Sequence, residues 1–305
     1  MSDDRVAVCR NLLGELAAIQ FSLGRETTYR IGGETALFIE INDHPSLERV
    51  AAAAVTSGIE VLVLGNGSNL LIADRGFDGL AIRLGGQFAE LQIDSESGSI
   101  TAGAACSYPV LARQSVASGL SGLEWAVGIP GTVGGAVTMN AGGHGSMTEM
   151  NLVDATVLDF STGTQSRLRT SELGCSYRHS NIESHQLVVG ATFQAVRSID
   201  RSASQAELDE IVRWRRNHQP GGRNCGSVFT NPPQDSAGRL IESVGLKGHR
   251  LGSAQVSTKH ANFIQADADG RADDVRELID EIALRVFEMT GVALETELRM
   301  VGFDQ

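Results

Sequence analysis

The sequence predicts an α+β protein of more than one domain, and three observations lead to this prediction. The chain has 305 residues, of which 42% are hydrophobic, enough for two or three ordinary cores. Apolar residues recur with helical spacing in some segments and with period two in others. Two stretches between these segments are dense in glycine, and such main chain can approach a ligand closely.

The first third of the chain predicts a helix and then a strand–helix–strand unit. The leading helix extends from about Val6 to Ile19, with leucines on one stripe. Residues 35–41 and 60–64 have β character and flank a helix over 45–57, which Gly58 ends. This order predicts a small βαβ unit with a parallel pair of strands.

The middle and last thirds alternate strands and helices. Strands are expected over 99–104 and 152–159, and a helix is expected over 108–118. A capping box of Ser204 and Glu207 predicts the start of another helix, which Pro220 must end.

The C-terminal region predicts one more helix and then a strand. Apolar residues recur at helical spacing from Val275 to Met289, and Gly291 is the expected stop. Residues 292–301 alternate with period two, which places Glu295, Glu297 and Arg299 on one face.

Net charge and the lengths of apolar runs restrict the functional class. The formal net charge of −12 argues against a nucleic-acid binder, which needs many Lys and Arg side chains to neutralise phosphates. No apolar run approaches the roughly 20 residues that span a bilayer. Residues 1–5 lack the basic and then apolar pattern of a secretory signal. We therefore expect a cytoplasmic monomer that does not insert into a membrane.

The four cysteines are widely separated, and none forms a C-x-x-C pair. Because their spacing suits neither zinc nor an iron–sulfur cluster, no metal site is expected. We expect Cys9, Cys106, Cys175 and Cys225 to be reduced and buried. Cys225 lies in a glycine-rich loop, where a reactive thiol is the alternative.

The first glycine-rich loop, Gly65-Asn66-Gly67-Ser68-Asn69, directly follows an apolar strand. Two glycines let main-chain N–H groups turn inward, and Ser68 and the asparagines add donors, a combination that suits a pyrophosphate. The spacing matches neither the G-x-G-x-x-G of a dinucleotide fold nor the phosphate loop of NTPases. On these residues alone, a tight turn between two strands is the alternative.

The second glycine-dense stretch runs from Gly119 to Gly145 and predicts no regular helix or strand. Its central part reads Gly128-Ile129-Pro130-Gly131-Thr132-Val133-Gly134-Gly135, and Asn140 follows. Low polar content favours a flat apolar ligand with a phosphate tail lying against main chain. Close packing between strands is the alternative.

In this order, the two motifs resemble the FAD domain of the vanillyl-alcohol-oxidase type of flavoproteins. Within that group the chain is most similar to the UDP-N-acetylenolpyruvoylglucosamine reductases, in their compact subtype. Three further segments carry this similarity: Tyr177-Arg178-His179-Ser180, Gly226-Ser227-Val228-Phe229-Thr230-Asn231-Pro232 and Leu294-Glu295-Thr296-Glu297-Leu298-Arg299. The resemblance extends from Thr27-Thr28-Tyr29-Arg30 to Arg299, nearly the whole chain.

The resemblance implies a domain order and a set of binding residues. A leading helix, residues 1–20, would precede an FAD-binding region over 21–198 with subdomains over 21–86 and 87–198. A C-terminal α+β substrate-binding domain would occupy 199–305. The implied cofactor-binding residues are Tyr29, Arg30, Gly65, Asn66, Gly67, Ser68, Asn69, Gly128, Ile129, Pro130, Gly131, Gly134, Gly135 and Asn140, and the implied substrate-binding residues are Tyr177, Asn231, Lys247 and His260.

The family's reaction implies FAD and NADPH as cofactors and an enolpyruvyl UDP-sugar as substrate. Hydride addition pushes electron density toward the substrate carboxylate, where a cation such as Arg178 can stabilise it. Ser227 is the candidate acid that protonates the adjacent carbon. Glu297 is the candidate carboxyl group that positions or polarises the intermediate. Glu295, on the same strand face about 7 Å away, is the alternative.

Two residues depart from the family pattern. Thr230 stands where a Lys is common, and Gln265 stands where an Asn is frequent. Because of Thr230, a catalytically silent nucleotide-sugar-binding module is kept as an alternative. An oxidase with the same FAD fold is a second alternative. The arginines at 213, 215 and 216 are interpreted as a solvated helix face.

Overall fold

The computed structural model describes residues 2–303, which contain seven α-helices and eighteen strands. The helices are α1 Ser2–Leu13, α2 His44–Ser57, α3 Tyr108–Ala117, α4 Val133–Thr138, α5 Arg201–His218, α6 Ala237–Ser243 and α7 Ala272–Thr290. The strands are β1 Ala18–Phe21, β2 Thr35–Ile41, β3 Val61–Val63, β4 Leu70–Ile72, β5 Phe77–Leu84, β6 Leu91–Asp94, β7 Ser99–Gly103, β8 Leu120–Ser121, β9 Gly142–Gly143, β10 Ser146–Met147, β11 Leu152–Asp159, β12 Gln165–Arg169, β13 Gln186–Gln194, β14 Val196–Arg197, β15 Arg250–Leu251, β16 Ala254–Val256, β17 Ile264–Ala266 and β18 Arg299–Val301.

The chain folds into two compact units that are interleaved in sequence. The first unit contains the chain through Ile19, Ala36–Gly65 and Asp78–Arg215. The second contains Gln20–Thr35, Asn66–Phe77 and the chain from Arg216 onward. Short N-terminal segments therefore belong to the same unit as the C-terminal third.

The first unit is built on two sheets. One has the strand order β1-β2-β5-β3, and the other, with neighbouring strands antiparallel, has the order β12-β11-β13-β7-β6. Leu47 and Val50 of α2 are fully buried in the core of this unit. The predicted direct pair between residues 35–41 and 60–64 is wrong, because β5 lies between β2 and β3. The parallel partner of β3 is β5.

The second unit packs α6 and α7 around a small core. The antiparallel sheet β15-β16-β17 contributes to it, and β18 pairs in parallel with β4. The α7 residues Val275, Leu278, Ile279, Ile282 and Val286 are buried, as the helical spacing predicts. Gly291 ends α7 with φ +73°, a conformation that suits glycine.

Several element predictions are confirmed where local chemistry decides the boundary. Residues 35–41 and 152–159 form the strands β2 and β11. Asp43 caps α2 by accepting the N–H of Ser46 at 2.7 Å, and Gly58 ends this helix with φ +62°. Pro220 follows soon after the end of α5 at His218.

Four element predictions need correction. Of the strand expected over 292–301, only Arg299–Val301 forms β18, and Thr296 makes an isolated bridge with Phe229. The leading helix ends at Leu13 because Gly14 adopts φ +60°, and the stripe residues Leu16 and Ile19 are exposed. Asp200, rather than Ser204, caps α5 by accepting the N–H groups of Ser202 and Ala203. The glycine-dense stretch does contain a short helix, α4, which Thr132 caps.

The cysteines are free thiols, and three of the four are buried. Cys225 is 5% exposed, and burial raises the pKa of its thiol to about 12. Because a reactive cysteine needs a readily formed thiolate, this environment opposes the reactive alternative. Among residues 2–303, no helix combines the length and the apolar character that crossing a membrane requires.

Candidate active site

The loop residues Asn66 to Asn69 present a run of main-chain N–H groups that donate to no other residue within 2–303. The loop is fixed from one side by Thr28, whose N–H donates to the Gly67 carbonyl at 3.0 Å. Gly67 is required here, because it has φ +61° and a Cβ would lie 2.6 Å from the Glu26 carbonyl oxygen. Unpaired N–H groups on one short loop form a cradle that fits a phosphate.

The end of this loop is tied to the segment of Glu297 in the same unit. The side-chain amide of Asn69 donates to the Glu297 carbonyl at 3.0 Å. The N–H of Arg299 donates to the Asn69 carbonyl at 3.2 Å, just before β18 joins β4. The loop that carries the unpaired N–H groups therefore helps to fix the main chain at Glu297.

Ser227 and Glu297 are brought together by main-chain pairing in the second unit. Val228, next to Ser227, accepts the N–H of Glu297 at 2.8 Å, and Thr230 donates to the Glu295 carbonyl at 2.9 Å. Both Ser227 and Glu297 are half-exposed, whereas Glu295 is exposed. The Ser227 hydroxyl makes no hydrogen bond to another residue of the described chain, 2–303, so it is available to a ligand.

The glycine-dense stretch is shaped around Thr132 in the first unit. A Cβ on Gly65 would lie 3.0 Å from Thr132 Oγ1, so these two parts of the sequence meet. Thr132 Oγ1 accepts the N–H of Gly135 at 3.3 Å, while Gly134 donates to the Ala104 carbonyl at 2.9 Å. Most N–H groups at the start of α4 thus donate to other protein atoms. A ligand could contact the main-chain surface of the glycines there, but would find few free N–H donors.

Gly134 and Gly135 have different reasons to be glycine. A Cβ on Gly134 would lie 2.9 Å from the Cβ of Ala104, so this position needs close packing. A Cβ on the exposed Gly135 would meet only Thr132 Oγ1, at the ordinary distance of 3.6 Å. The protein's own packing therefore does not require glycine at 135, and open space adjoins the main chain there.

Arg178 lies on a strained turn in the first unit, with φ +57°. The turn is held by Asn140, whose Nδ2 donates to the Ser176 carbonyl at 2.8 Å, and by Ser180, whose Oγ donates to the Thr138 carbonyl at 2.7 Å. A Cβ on Gly142 would lie 2.9 Å from a guanidinium nitrogen of Arg178. Arg178 is thus placed beside the glycine-dense stretch.

Similarity to known proteins agrees with this geometry. Residues 35–169 match the model of an FAD binding domain, and residues 218–301 match the C-terminal domain of UDP-N-acetylenolpyruvoylglucosamine reductase. The reductase of that name from Synechococcus sp. (strain RCC307) is 44% identical over 285 residues, which cover 92% of each chain. The chain belongs to the UDP-N-acetylenolpyruvoylglucosamine reductase family. The related reductase 2 of Symbiobacterium thermophilum is 42% identical over 281 residues, covering 92% of this chain and 90% of that one.

A solved reductase confirms the fold class. The crystal structure of the reductase from Thermus caldophilus aligns with a TM-score of 0.80 and 34% identity, over 93% of this chain and 99% of that one. The family resemblance, the α+β class with a flavin-binding region and a C-terminal domain, and the oxidoreductase class are therefore confirmed. FAD as cofactor agrees with the matched domain and with the cradle at Asn66–Asn69.

The predicted substrate-binding residues in the second unit of this chain lie around α6. Lys247 pairs with Glu242 at 3.0 Å, and Asn231 Oδ1 accepts the N–H of Ala237 at the start of α6. Burial lowers the pKa of His260, and the nearby charge of Lys247 lowers it further. His260 also lies beside α6, since a Cβ on Gly238 would lie 3.1 Å from its ring. Tyr177, in the first unit, is exposed, and the Arg178 guanidinium lies 4.9 Å from its ring centroid.

The side chains of the other predicted residues differ in how far they are buried. Tyr29 is fully buried in the core of the second unit, and its hydroxyl has no hydrogen-bond partner within the described chain, residues 2–303. Arg30 is exposed, with φ +56°. The side chain of Asn140 is buried, and its Oδ1 accepts the N–H of Glu149 at 3.0 Å. The expectation that Arg215 is solvated is wrong, since it donates to the Gly128 carbonyl and burial lowers its pKa.

Sequence reasoning gave no role to two residues of the site. Thr132 was part of the glycine-dense motif, and a Thr directly before Val-Gly-Gly is a recognisable helix cap. Asn262 lies two positions after the predicted His260 but had no predicted role. It is hydrogen-bonded to Phe229, 33 positions away in sequence, so no local signal could have identified it.

Proposed function

We propose that this protein reduces the enolpyruvyl group of UDP-N-acetylglucosamine enolpyruvate to give UDP-N-acetylmuramate, using FAD and NADPH. One observation carries the proposal most directly. In the second unit, a cradle of unpaired N–H groups is hydrogen-bonded through Asn69 to Glu297, which pairs with the residue next to Ser227. This arrangement supports an anionic cofactor held beside an acid and a carboxyl group.

The chemistry assigned to the chain follows from the residue types. The main chain of Asn66–Asn69 would hold the pyrophosphate of FAD, and the bound cofactor would supply hydride transfer from NADPH to the terminal carbon of the enolpyruvyl group. Arg178 is proposed to stabilise the negative charge that develops on the substrate carboxylate. The turn that holds Arg178 through Asn140 and Ser180 supports this role, because a fixed cation loses little freedom on binding.

Ser227 is proposed to donate a proton to the carbon next to the carboxylate. Because a carbanion is a strong base, even a hydroxyl of high pKa can serve as the donor when it is correctly placed. Glu297 is proposed to polarise or position the intermediate. The half-exposed setting of Ser227 and Glu297, on neighbouring main-chain segments, supports their action on one substrate.

The domain assignment and setting of the enzyme are part of the same proposal. Residues 21–198 would hold FAD and residues 199–305 would hold the UDP-sugar, after a leading segment over 1–20. We place the enzyme in the cytoplasm as a monomer with small-molecule partners only, acting in peptidoglycan synthesis and so in cell shape and cell division. The net charge of −12 supports the absence of a nucleic-acid partner.

The proposal is tested with the purified protein loaded with FAD. Under anaerobic conditions, NADPH should bleach the flavin absorbance, and the enolpyruvyl UDP-sugar should restore it. If the flavin is not reduced by NADPH, or if the sugar leaves the reduced flavin unchanged, the proposed function is wrong. Rapid reoxidation by oxygen together with no response to the sugar would favour the oxidase alternative. A protein that binds the sugar without turnover would favour the silent module.

A further inference from the structure

The segment Val228–Thr230 is hydrogen-bonded on both edges, and on one edge the partner is a single residue, Asn262. Asn262 Oδ1 accepts the N–H of Phe229 at 3.0 Å, and Asn262 Nδ2 donates to the Phe229 carbonyl at 2.8 Å. The Asn262 carbonyl also accepts the N–H of Val228 at 2.9 Å. Asn262 is 4% exposed and Phe229 is 1% exposed. The side-chain amide of Asn262 thus makes with Phe229 the two hydrogen bonds that a neighbouring strand would otherwise make.

The opposite edge of the same segment carries Glu297. Val228 accepts the Glu297 N–H, and Thr230 donates to the Glu295 carbonyl, so Phe229 lies opposite Thr296. Since consecutive residues of an extended chain direct their main-chain groups to opposite edges, Asn262 uses the groups of Phe229 that the Glu297 segment leaves unpaired. Loss of the amide would leave two buried main-chain groups without partners.

We infer that Asn262 is a positioning residue, which sets the place of Ser227 relative to Glu297 through Phe229 and Val228. This inference rests on the proposed function. Ser227 directly follows Gly226, which has φ +78° and no neighbour close to where a Cβ would be. On this side the chain is held through the N–H of Gly226, which donates to Asn224 Oδ1 at 3.0 Å, rather than by packing around Gly226. On the other side, the hydrogen bonds of Asn262 to Val228 and Phe229 begin one residue after Ser227 and so help to fix the main chain that carries the hydroxyl.

The test compares the two half-reactions of the full-length, FAD-loaded protein. In Asn262→Ala, reoxidation of reduced flavin by the enolpyruvyl UDP-sugar should slow about 100-fold, the effect expected of a reacting group displaced by about 1 Å. Flavin reduction by NADPH should stay at the parental rate, because it needs no acid from the chain. Ser253→Ala is the matched control. It removes the hydroxyl that accepts the Arg271 N–H at 2.8 Å in the same unit, and it should lower stability but leave both half-reactions unchanged.

One further variant keeps the inference testable if Asn262→Ala folds poorly. Asn262→Gln keeps the amide acceptor and donor, without adding a charge, but displaces them by one methylene group, so a smaller loss confined to reoxidation is expected. Adding Asn262→Ala to Ser227→Ala should slow reoxidation no further than Ser227→Ala alone, because both changes act through one group.

The outcomes separate this inference from the proposed function. Equal slowing of both half-reactions in the Asn262 variants, parental reoxidation, or additive losses with Ser227→Ala would each overturn the positioning role. Failure of the enolpyruvyl UDP-sugar to reoxidise the parent protein would instead overturn the proposed function.

Discussion

The side-chain amide of Asn69 donates to the main-chain carbonyl of Glu297 at 3.0 Å, across 228 positions of sequence. This bond ties the cradle of unpaired N–H groups at Asn66–Asn69 to the segment that carries the candidate carboxyl group. The N–H of Arg299 donates back to Asn69 at 3.2 Å, so the connection is reciprocal. A change at either residue is therefore expected to affect both cofactor binding and chemistry.

Asn69→Ala should weaken FAD binding and slow flavin reoxidation together. The variant loses one partly buried hydrogen bond, worth about 1 kcal/mol in stability, so most of the protein should remain folded. FAD affinity is measured by fluorescence titration, and reoxidation is measured by stopped flow. Asn151→Ala is the control, because it removes a similar bond, from the Asn151 amide to the Gln194 carbonyl at 3.1 Å, in the first unit. Normal FAD affinity in Asn69→Ala would contradict the expected role.

Ser227→Ala should retain FAD and its reduction by NADPH but lose reoxidation by the enolpyruvyl UDP-sugar. The expected loss is about 10²–10⁴-fold, the usual contribution of a positioned acid. Ser227→Cys, which keeps a proton donor of different geometry, should recover part of the rate. If Ser227→Ala reoxidises at the parental rate, another group is the acid.

Glu297→Gln and Glu295→Gln distinguish the two candidate carboxyl groups. Glu297 is half-exposed next to the Ser227 segment, whereas Glu295 is exposed and its carbonyl accepts the Thr230 N–H. We expect Glu297→Gln to lower kcat strongly and Glu295→Gln to leave kcat nearly unchanged, since an amide keeps the size but not the charge. The reverse order would assign the carboxyl role to Glu295.

Gly135→Ala and Gly134→Ala should separate ligand contact from packing. At 135 a methyl group finds open space, so the apoprotein should keep its stability while FAD affinity falls. At 134 the methyl group would lie 2.9 Å from the Ala104 Cβ, so the unfolding free energy should drop by about 1–3 kcal/mol. Thermal denaturation of the apoproteins and FAD titration measure the two effects. Unchanged FAD affinity in Gly135→Ala would place the cofactor elsewhere.

His260 should make the protein less stable at acidic pH. Burial lowers the pKa of His260 below its ordinary value of 6.5, so the unfolded chain takes up its proton first as the pH falls. Its contribution to stability is complete above pH 6.5 and is lost as the pH drops toward the folded-state pKa. Urea denaturation on both sides of pH 6.5 gives the unfolding free energy at each pH, and this free energy should depend less on pH in His260→Gln than in the parent protein. Burial also lowers the pKa of His144, so part of the pH dependence should remain in the variant.

Local chemistry in the sequence was sufficient for much of the secondary structure and for the family. The stops of α2 at Gly58 and of α7 at Gly291 depend on residues next to each helix end, and both predictions are confirmed. The predicted leading helix is too long. The apolar spacing continues past Gly14, but the positive φ of Gly14 ends the helix at Leu13. The order of the glycine-rich motifs identified the family, since several short motifs in sequence rarely occur together by chance.

The sequence by itself determined the elements, the motifs and the residue types that the chemistry needs. Only the tertiary structure decided that Asn69 donates to Glu297, that Asn262 is hydrogen-bonded to Phe229 and that Arg215 donates to the Gly128 carbonyl. Helix caps and periodicity depend on neighbours a few residues apart, so they can be read along the chain. A hydrogen bond between distant residues depends on how separate segments pack, and no local pattern encodes that.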